Sequence, residues 1–174
     1  NEGKGAWTEE MERKYPKARW IHNTENRLFT GAMNQGISAS KGEWVLSLNN
    51  DVALSENFIE KLVQGIPADE KIGMVCGLLL KSKFSNSSDK SPLTQPSPPK
   101  GERERVRGSK LGNEEGYRGE IIDSVGQSLG LAKNPRERGH GEKFRGQYQK
   151  SEEVFSVPGA CGLYRRRMLQ EIAL

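Results

Sequence analysis

Cysteine and histidine are scarce here, with two of each in 174 residues. Cys76 and Cys161 can close one bridge at most, which excludes a disulfide framework. The absence of a Cys/His cluster excludes a structural zinc site. Apolar residues make up 33% of the chain and aromatic residues 7%. That apolar share is low for a globular chain, so part of the length is expected not to pack. No apolar run reaches the ~18 residues of a membrane span; the longest, residues 72–80, is broken by Gly73 and Gly77. No basic start leads into an apolar stretch, so no secretory signal is recognisable. Residue 1 is Asn, and a longer chain upstream is expected. What remains is enough for one domain with one core.

The net charge is +4, which invites a nucleic-acid reading. Its location argues against one. Residues 81–120 hold nine Lys/Arg against six Asp/Glu, a surplus of three, so the rest of the chain is close to neutral. The same segment carries Pro92, Pro96, Pro98 and Pro99 and few large apolar residues. Such a composition does not offset the entropy of ordering a backbone. The expectation is one domain over residues 1–174, interrupted by a disordered insertion at about 83–118. Its string SPLTQPSPPKGERERV resembles translated repetitive DNA found in unrelated bacterial reading frames. The alternative is a proline-rich ligand for an SH3-like partner.

The flanks read as α/β. Residues 7–15 suit a helix end stopped before Pro16. Residues 18–22 suit a short strand, and residues 31–40 a weak helix. Trp44–Leu48 is a continuous apolar run, the pattern of a strand buried on both faces. Ser55 is placed to cap a helix over residues 56–66, with Phe58, Ile59, Leu62, Val63 and Ile66 on one stripe. Residues 72–80 read as another buried strand. Strand, helix, strand at these lengths is a βαβ unit, which predicts a mainly parallel sheet. Residues 120–123, 128–131 and 154–157 are short strand candidates, and residues 166–172 open a terminal helix.

In an open α/β sheet, ligands bind beyond the carboxyl ends of the strands. The run Trp44–Leu48 ends directly in Asn49-Asn50-Asp51. Three oxygen-bearing side chains there suit a hard cation, Mg²⁺ or Mn²⁺, shared with substrate phosphates. The alternative is that Asp51 only caps a helix, for which Ser55 is better spaced.

The stretch ENRLFTGAMNQGISASKGEWVLSLNNDVAL resembles the middle of family 2 glycosyltransferases, especially the rhamnosyltransferase-like group. Asn26, Phe29, Asn34, Gly36, Ile37, Gly42 and Glu43 fall into that family's register, followed by Leu48-Asn49-Asn50-Asp51. Ile122-Asp123-Ser124-Val125-Gly126 is similar to its I-D-x-x-G stretch. The segment from Val157 through Gly159, Ala160 and Cys161 to Arg166 matches its G-A-x-x-hydrophobic-x-R segment. The ordered set covers roughly residues 20–80 and 120–174.

The resemblance implies a partial GT-A fold, a Rossmann-like sheet with flanking helices that binds a nucleotide diphosphate sugar. Asn49, Asn50 and Asp51 then correspond to the D-x-D-type motif, with Asp51 holding the divalent cation. Asn34 is implied near the nucleotide, and Gly159 and Ala160 as a wall beside donor sugar and acceptor. The implied reaction is sugar transfer, with inversion, to the hydroxyl of a glycan or lipid-linked acceptor. The base, a carboxylate in an E-D-type motif, is implied beyond Leu174, so the isolated chain is expected to be inactive. No nucleic-acid partner is expected. The implied location is cytoplasmic, and peripheral association of the full enzyme with the inner face of the cell membrane stays open. Leu28 stands where the family has Gly. The rival readings are a non-catalytic remnant of the same fold and a small nucleotide- or nucleic-acid-binding module. Arg136, Arg138 and Arg145 are candidate phosphate contacts or solvated loop residues. Glu152 and Glu153 are substitute bases or a strand edge.

Overall fold

A computed structural model of the chain describes residues 6–81, 106–107, 119–130 and 133–172. Helix α1 spans Ala6–Lys14 and α2 spans Leu28–Ala39. Strand β1, Trp44–Leu48, leads through α3, Phe58–Gln64, to β2, Met74–Val75. Then come β3 (Leu79–Lys81), β4 (Val106–Arg107), β5 (Ile122–Ser124), β6 (Gln127–Leu129) and β7 (Pro135–Glu137). Strand β8, Cys161–Arg165, runs directly into α4, Arg166–Glu171. The class is α/β, as the element order predicts.

The main sheet has the order β1-β8-β2, and both ladders are antiparallel. Strands β1 and β2 therefore run parallel to each other, as the βαβ pattern requires, but β8 lies between them. The expectation of a mainly parallel sheet is corrected: every ladder among the described residues is antiparallel. The cause is β8, which returns from the far end of the sequence and fills the gap that α3 spans. One face of this sheet packs Leu163 and Cys161 against Phe58 and Leu62 of α3, together with Leu79. Gly77 lets the backbone approach Phe58. A Cβ there would lie 2.6 Å from the ring, closer than real side chains come.

The run 72–80 is two strands, not one. Met74–Val75 joins the main sheet, while Leu79–Lys81 pairs with β4 and β5 in a second sheet of order β4-β3-β5. Strand alternation sends Leu79 and Leu80 to opposite faces. Leu79 enters the first core, and Leu80 enters a second with Ile122, Val125 and Phe144. The one-core expectation thus becomes two clusters joined at β3. Val106–Arg107 lies inside the expected insertion yet forms β4 against Leu80 and Lys81; the rest of 83–118 lies outside the described residues.

Other expectations need correction. Residues 18–22 form no ladder among the described residues. Side-chain bonds hold the segment there: Arg19 NH1 donates to Ala39 O at 3.1 Å, and the Asn23 and Gln35 amides pair at 2.9 and 3.0 Å. Residues 154–157 make only the bridge between Gln127 and Ser156. Ser55 is not the cap of α3. Phe58 N–H donates to the Ser55 carbonyl at 3.1 Å in a preceding turn, the cap is Asn57, and Ser55 Oγ is buried without a partner. The helix is therefore shorter and its buried stripe narrower. Phe58 and Leu62 face the core, whereas Ile59 and Val63 are about half exposed, at 53% and 50%. Strand β1 buries Val45 and Ser47, with Trp44 and Leu46 half-buried and Leu48 exposed, so it is not sealed on both faces.

Leu28 opens α2 with φ 57°, in the left-handed region, and is 71% exposed. That conformation costs an L-residue roughly 1–2 kcal/mol, and glycine avoids it at a chain-entropy cost of roughly 0.5–1 kcal/mol. Leu28→Gly is therefore expected to be neutral or to stabilise by up to about 1 kcal/mol, read as an upward shift of the urea midpoint. Leu28→Val should lower the midpoint, because a β-branched residue tolerates this conformation worse. A fall in stability for Leu28→Gly would show that φ at this position carries no strain.

Candidate functional site

Strand β1 delivers Asn49, Asn50 and Asp51 to its carboxyl end, and β8 begins beside them. The register pairs Leu48 with Cys161, and one step further Asn49 N–H donates to Ala160 O at 2.9 Å. Val52 N–H donates back to Asn49 O at 3.3 Å, so residues 49–52 form a turn. Asn49 is half-buried, while Asn50 and Asp51 are exposed. The sheet thus brings the triplet and the Gly159-Ala160 segment to one end of one strand pair.

An open groove of about 450 Å³ runs between α2 and β1. Phe29, Met33 and Ile37 line it from the helix, and Leu46, Asn49 and Asn50 from the strand and turn. Asp51 lies one residue past the groove end. Gly159 faces Phe29: a Cβ built on Gly159 would sit 4.0 Å from Phe29 Cζ. Asn34 is half-buried on α2 but does not line the groove. At 3.6 residues per turn it points about 140° away from Phe29. Of the six predicted site residues, Asn49 and Asn50 line the groove, and Ala160, bonded to Asn49, and Gly159, near Phe29, adjoin it. Asp51 adjoins them, and Asn34 lies on another side of the helix.

The donor set of the turn is one carboxylate with two side-chain amide oxygens. That chemistry fits a hard divalent cation whose other ligands come from substrate and water. Among the described residues no group of three or more His, Cys, Asp and Glu side chains gathers at one point, so a cage made wholly by this chain is not what the turn offers.

A family model for glycosyl transferase family 2 matches residues 4–173. The chain belongs to that family. No curated protein and no solved structure matches it. Glycosyl transfer is this family's chemistry. In this glycosyltransferase chain the stretches singled out by resemblance lie on α2, on β1 with its following turn, on β5 with Gly126, and on β8. Gly126 has φ +100°, and a Cβ there would come within 2.8 Å of Val154. Both observations demand glycine in the Ile-Asp-Ser-Val-Gly stretch.

The two histidines and the acidic candidate Glu152 have local partners. His22 pairs with Glu12. His140 Nδ1–H donates to Asp123 O at 2.9 Å, and Lys81 Nζ lies 3.4 Å from its Nε2, all at the second sheet. Glu152 is ion-paired with Arg138, whose guanidinium lies 4.7 Å over the Tyr148 ring. Glu152 therefore ties a loop together rather than standing ready as a base. The placement of Phe29 at the site was not foreseen. Its signal was in the family register, which contains it, but not in any polar pattern.

Cys161 is 1% exposed, and burial raises its pKa. Burial also pushes the Cys76 thiol up from 9.0 to about 11, with Cys161 and Glu137 adding to the rise and Arg138 opposing it. Both thiols are thus protonated and inert near neutrality. A thiol reagent at pH 8 is expected to label neither at an appreciable rate until urea unfolds the chain. The unfolded Cys76 ionises near 9 and the folded one near 11. The contribution of the protonated Cys76 thiol to stability is therefore fully present below pH 9 and is lost as pH rises through that window. Rapid labelling of the native chain at pH 8 would refute this.

Among the described residues no helix is long and apolar enough to cross a membrane.

Proposed function

We propose that this chain binds a nucleotide diphosphate sugar at the Asn49-Asn50-Asp51 turn, and that the active enzyme transfers the sugar to an acceptor hydroxyl with inversion. The observation that carries the reading is the bond from Asn49 N–H to Ala160 O. It joins the acidic turn to the small-residue segment, so a diphosphate at the turn has its sugar directed past Gly159. Asp51 supplies the formal negative charge of the turn, and Asn49 and Asn50 supply neutral oxygens and N–H donors. A divalent cation bound there would neutralise the diphosphate as it leaves. Gly159 and Ala160 leave room for sugar and acceptor together. By the family resemblance, a carboxylate base takes the proton of the acceptor hydroxyl as it attacks the anomeric carbon. The nucleotide, a glycan or lipid-linked acceptor, a rhamnose-like sugar and work at the inner membrane face all belong to this reading.

Calorimetric titration of the 174-residue chain with nucleoside diphosphates and their sugars, with Mn²⁺ and with EDTA, tests it. Cation-dependent binding that is lost in Asp51→Asn is the expected result. Wild-type binding that EDTA does not weaken, or that Asp51→Asn retains in full in Mn²⁺, would overturn it.

A further inference from the structure

The groove beside Asn49 and Asn50 combines an aromatic ring with amides. Phe29 is 60% exposed although it opens an apolar-lined helix face. Its ring tip faces Gly159, where a Cβ would stand 4.0 Å from Cζ with no other atom beyond its chain neighbours as near. Because residue 159 is glycine, that approach to the ring is open. At the same groove end Asn49 and Asn50 offer groups that both donate and accept hydrogen bonds. The exposed apolar ring offers a phosphate nothing, since a phosphate calls for cations and N–H donors. It does suit a pyranose, which has a C–H face to lay on an aromatic ring and a rim of hydroxyls for the amides.

We propose that Phe29 is the stacking platform for a sugar ring, which it orients over Asn49 and Asn50, and that Gly159 is small in order to admit that ring. This rests on the donor-site reading above and names a residue that sets how the sugar lies. A donor sugar and the terminal sugar of an acceptor share the required chemistry.

The test compares wild type, Phe29→Ala, Phe29→Trp and Gly159→Val by calorimetry and saturation-transfer NMR in Mn²⁺. The probes are UDP-glucose, UDP, dTDP-rhamnose, dTDP and a methyl glycoside. Circular dichroism shows whether each variant is folded, and Phe29 is exposed enough for its variants to remain so. Phe29→Ala is expected to weaken the nucleotide sugar about tenfold while leaving the bare nucleoside diphosphate unchanged. Gly159→Val should do the same, and Phe29→Trp should retain binding. Loss confined to the nucleotide-sugar arm assigns the platform to the donor, and loss confined to the methyl glycoside assigns it to the acceptor. Nucleotide-sugar binding and methyl-glycoside binding that none of these variants alters overturn the stacking role alone. If wild type binds no nucleotide at all, the donor-site reading fails and this proposal with it.

Discussion

Leu79→Ala is expected to destabilise the domain by about 2–5 kcal/mol, the range for removing a fully buried leucine side chain. Leu79 is 0% exposed and packs with Phe58, Leu62, Cys161 and Leu163. Its neighbour Leu80, 2% exposed, belongs to the other cluster. Strand β3 is only three residues long, so these two side chains carry much of the link between the clusters. Total stability of a domain is typically about 5–15 kcal/mol, and a loss of this size removes a large share. Urea unfolding followed by the fluorescence of Trp44, which packs beside the first core, reads the effect. The midpoint should fall with the slope unchanged if the two clusters melt together. A loss below about 1 kcal/mol would mean that neighbouring side chains collapse into the space and that β3 is not the joint.

The sequence was most legible where local pattern and tertiary role agree. Trp44–Leu48 is a strand with the bounds its apolar run predicts, and the terminal helix begins at Arg166 as expected. Strand β8 was read only as a family segment before a helix, although it is the centre of the main sheet. Its residues Cys-Gly-Leu-Tyr-Arg carry no period-2 signal, and its partners β1 and β2 lie about ninety or more positions away. Propensity cannot report such a pairing, which depends on contacts distant in sequence. The cap of α3 failed for a similar reason. Ser55 has the residue type of a cap, but the turn before Phe58 carries its side chain inward. The candidate site was legible in Asn49, Asn50, Gly159 and Ala160 because strand ends locate them. The direction of Asn34 depends on the phase of α2, which its weak pattern of small residues did not set.

Asp51→Asn is expected to lower sugar transfer by at least ~10²-fold in the active enzyme, comparable to losing one strong electrostatic group from a site. The substitution keeps the side chain's shape and removes the formal charge of the Asn49-Asn50-Asp51 turn. Asp51 is exposed and follows the strand rather than filling either core, so the fold should survive and the melting curve should be unchanged within about 0.5 kcal/mol. The turn itself is held by backbone bonds, Asn49 N–H to Ala160 O and Val52 N–H to Asn49 O, and neither uses the Asp51 side chain. A loss of transfer can therefore be assigned to charge rather than to unfolding. The mechanism through a shared cation makes a second demand: EDTA should reduce the wild type to the level of the variant, and EDTA should have little further effect on Asp51→Asn. Measuring transfer for both forms in Mn²⁺, Mg²⁺ and EDTA separates the cases. Full activity of Asp51→Asn, or wild-type activity indifferent to EDTA, would show that Asp51 does not act through a metal, and the charge of the departing diphosphate would have to be met elsewhere in the protein.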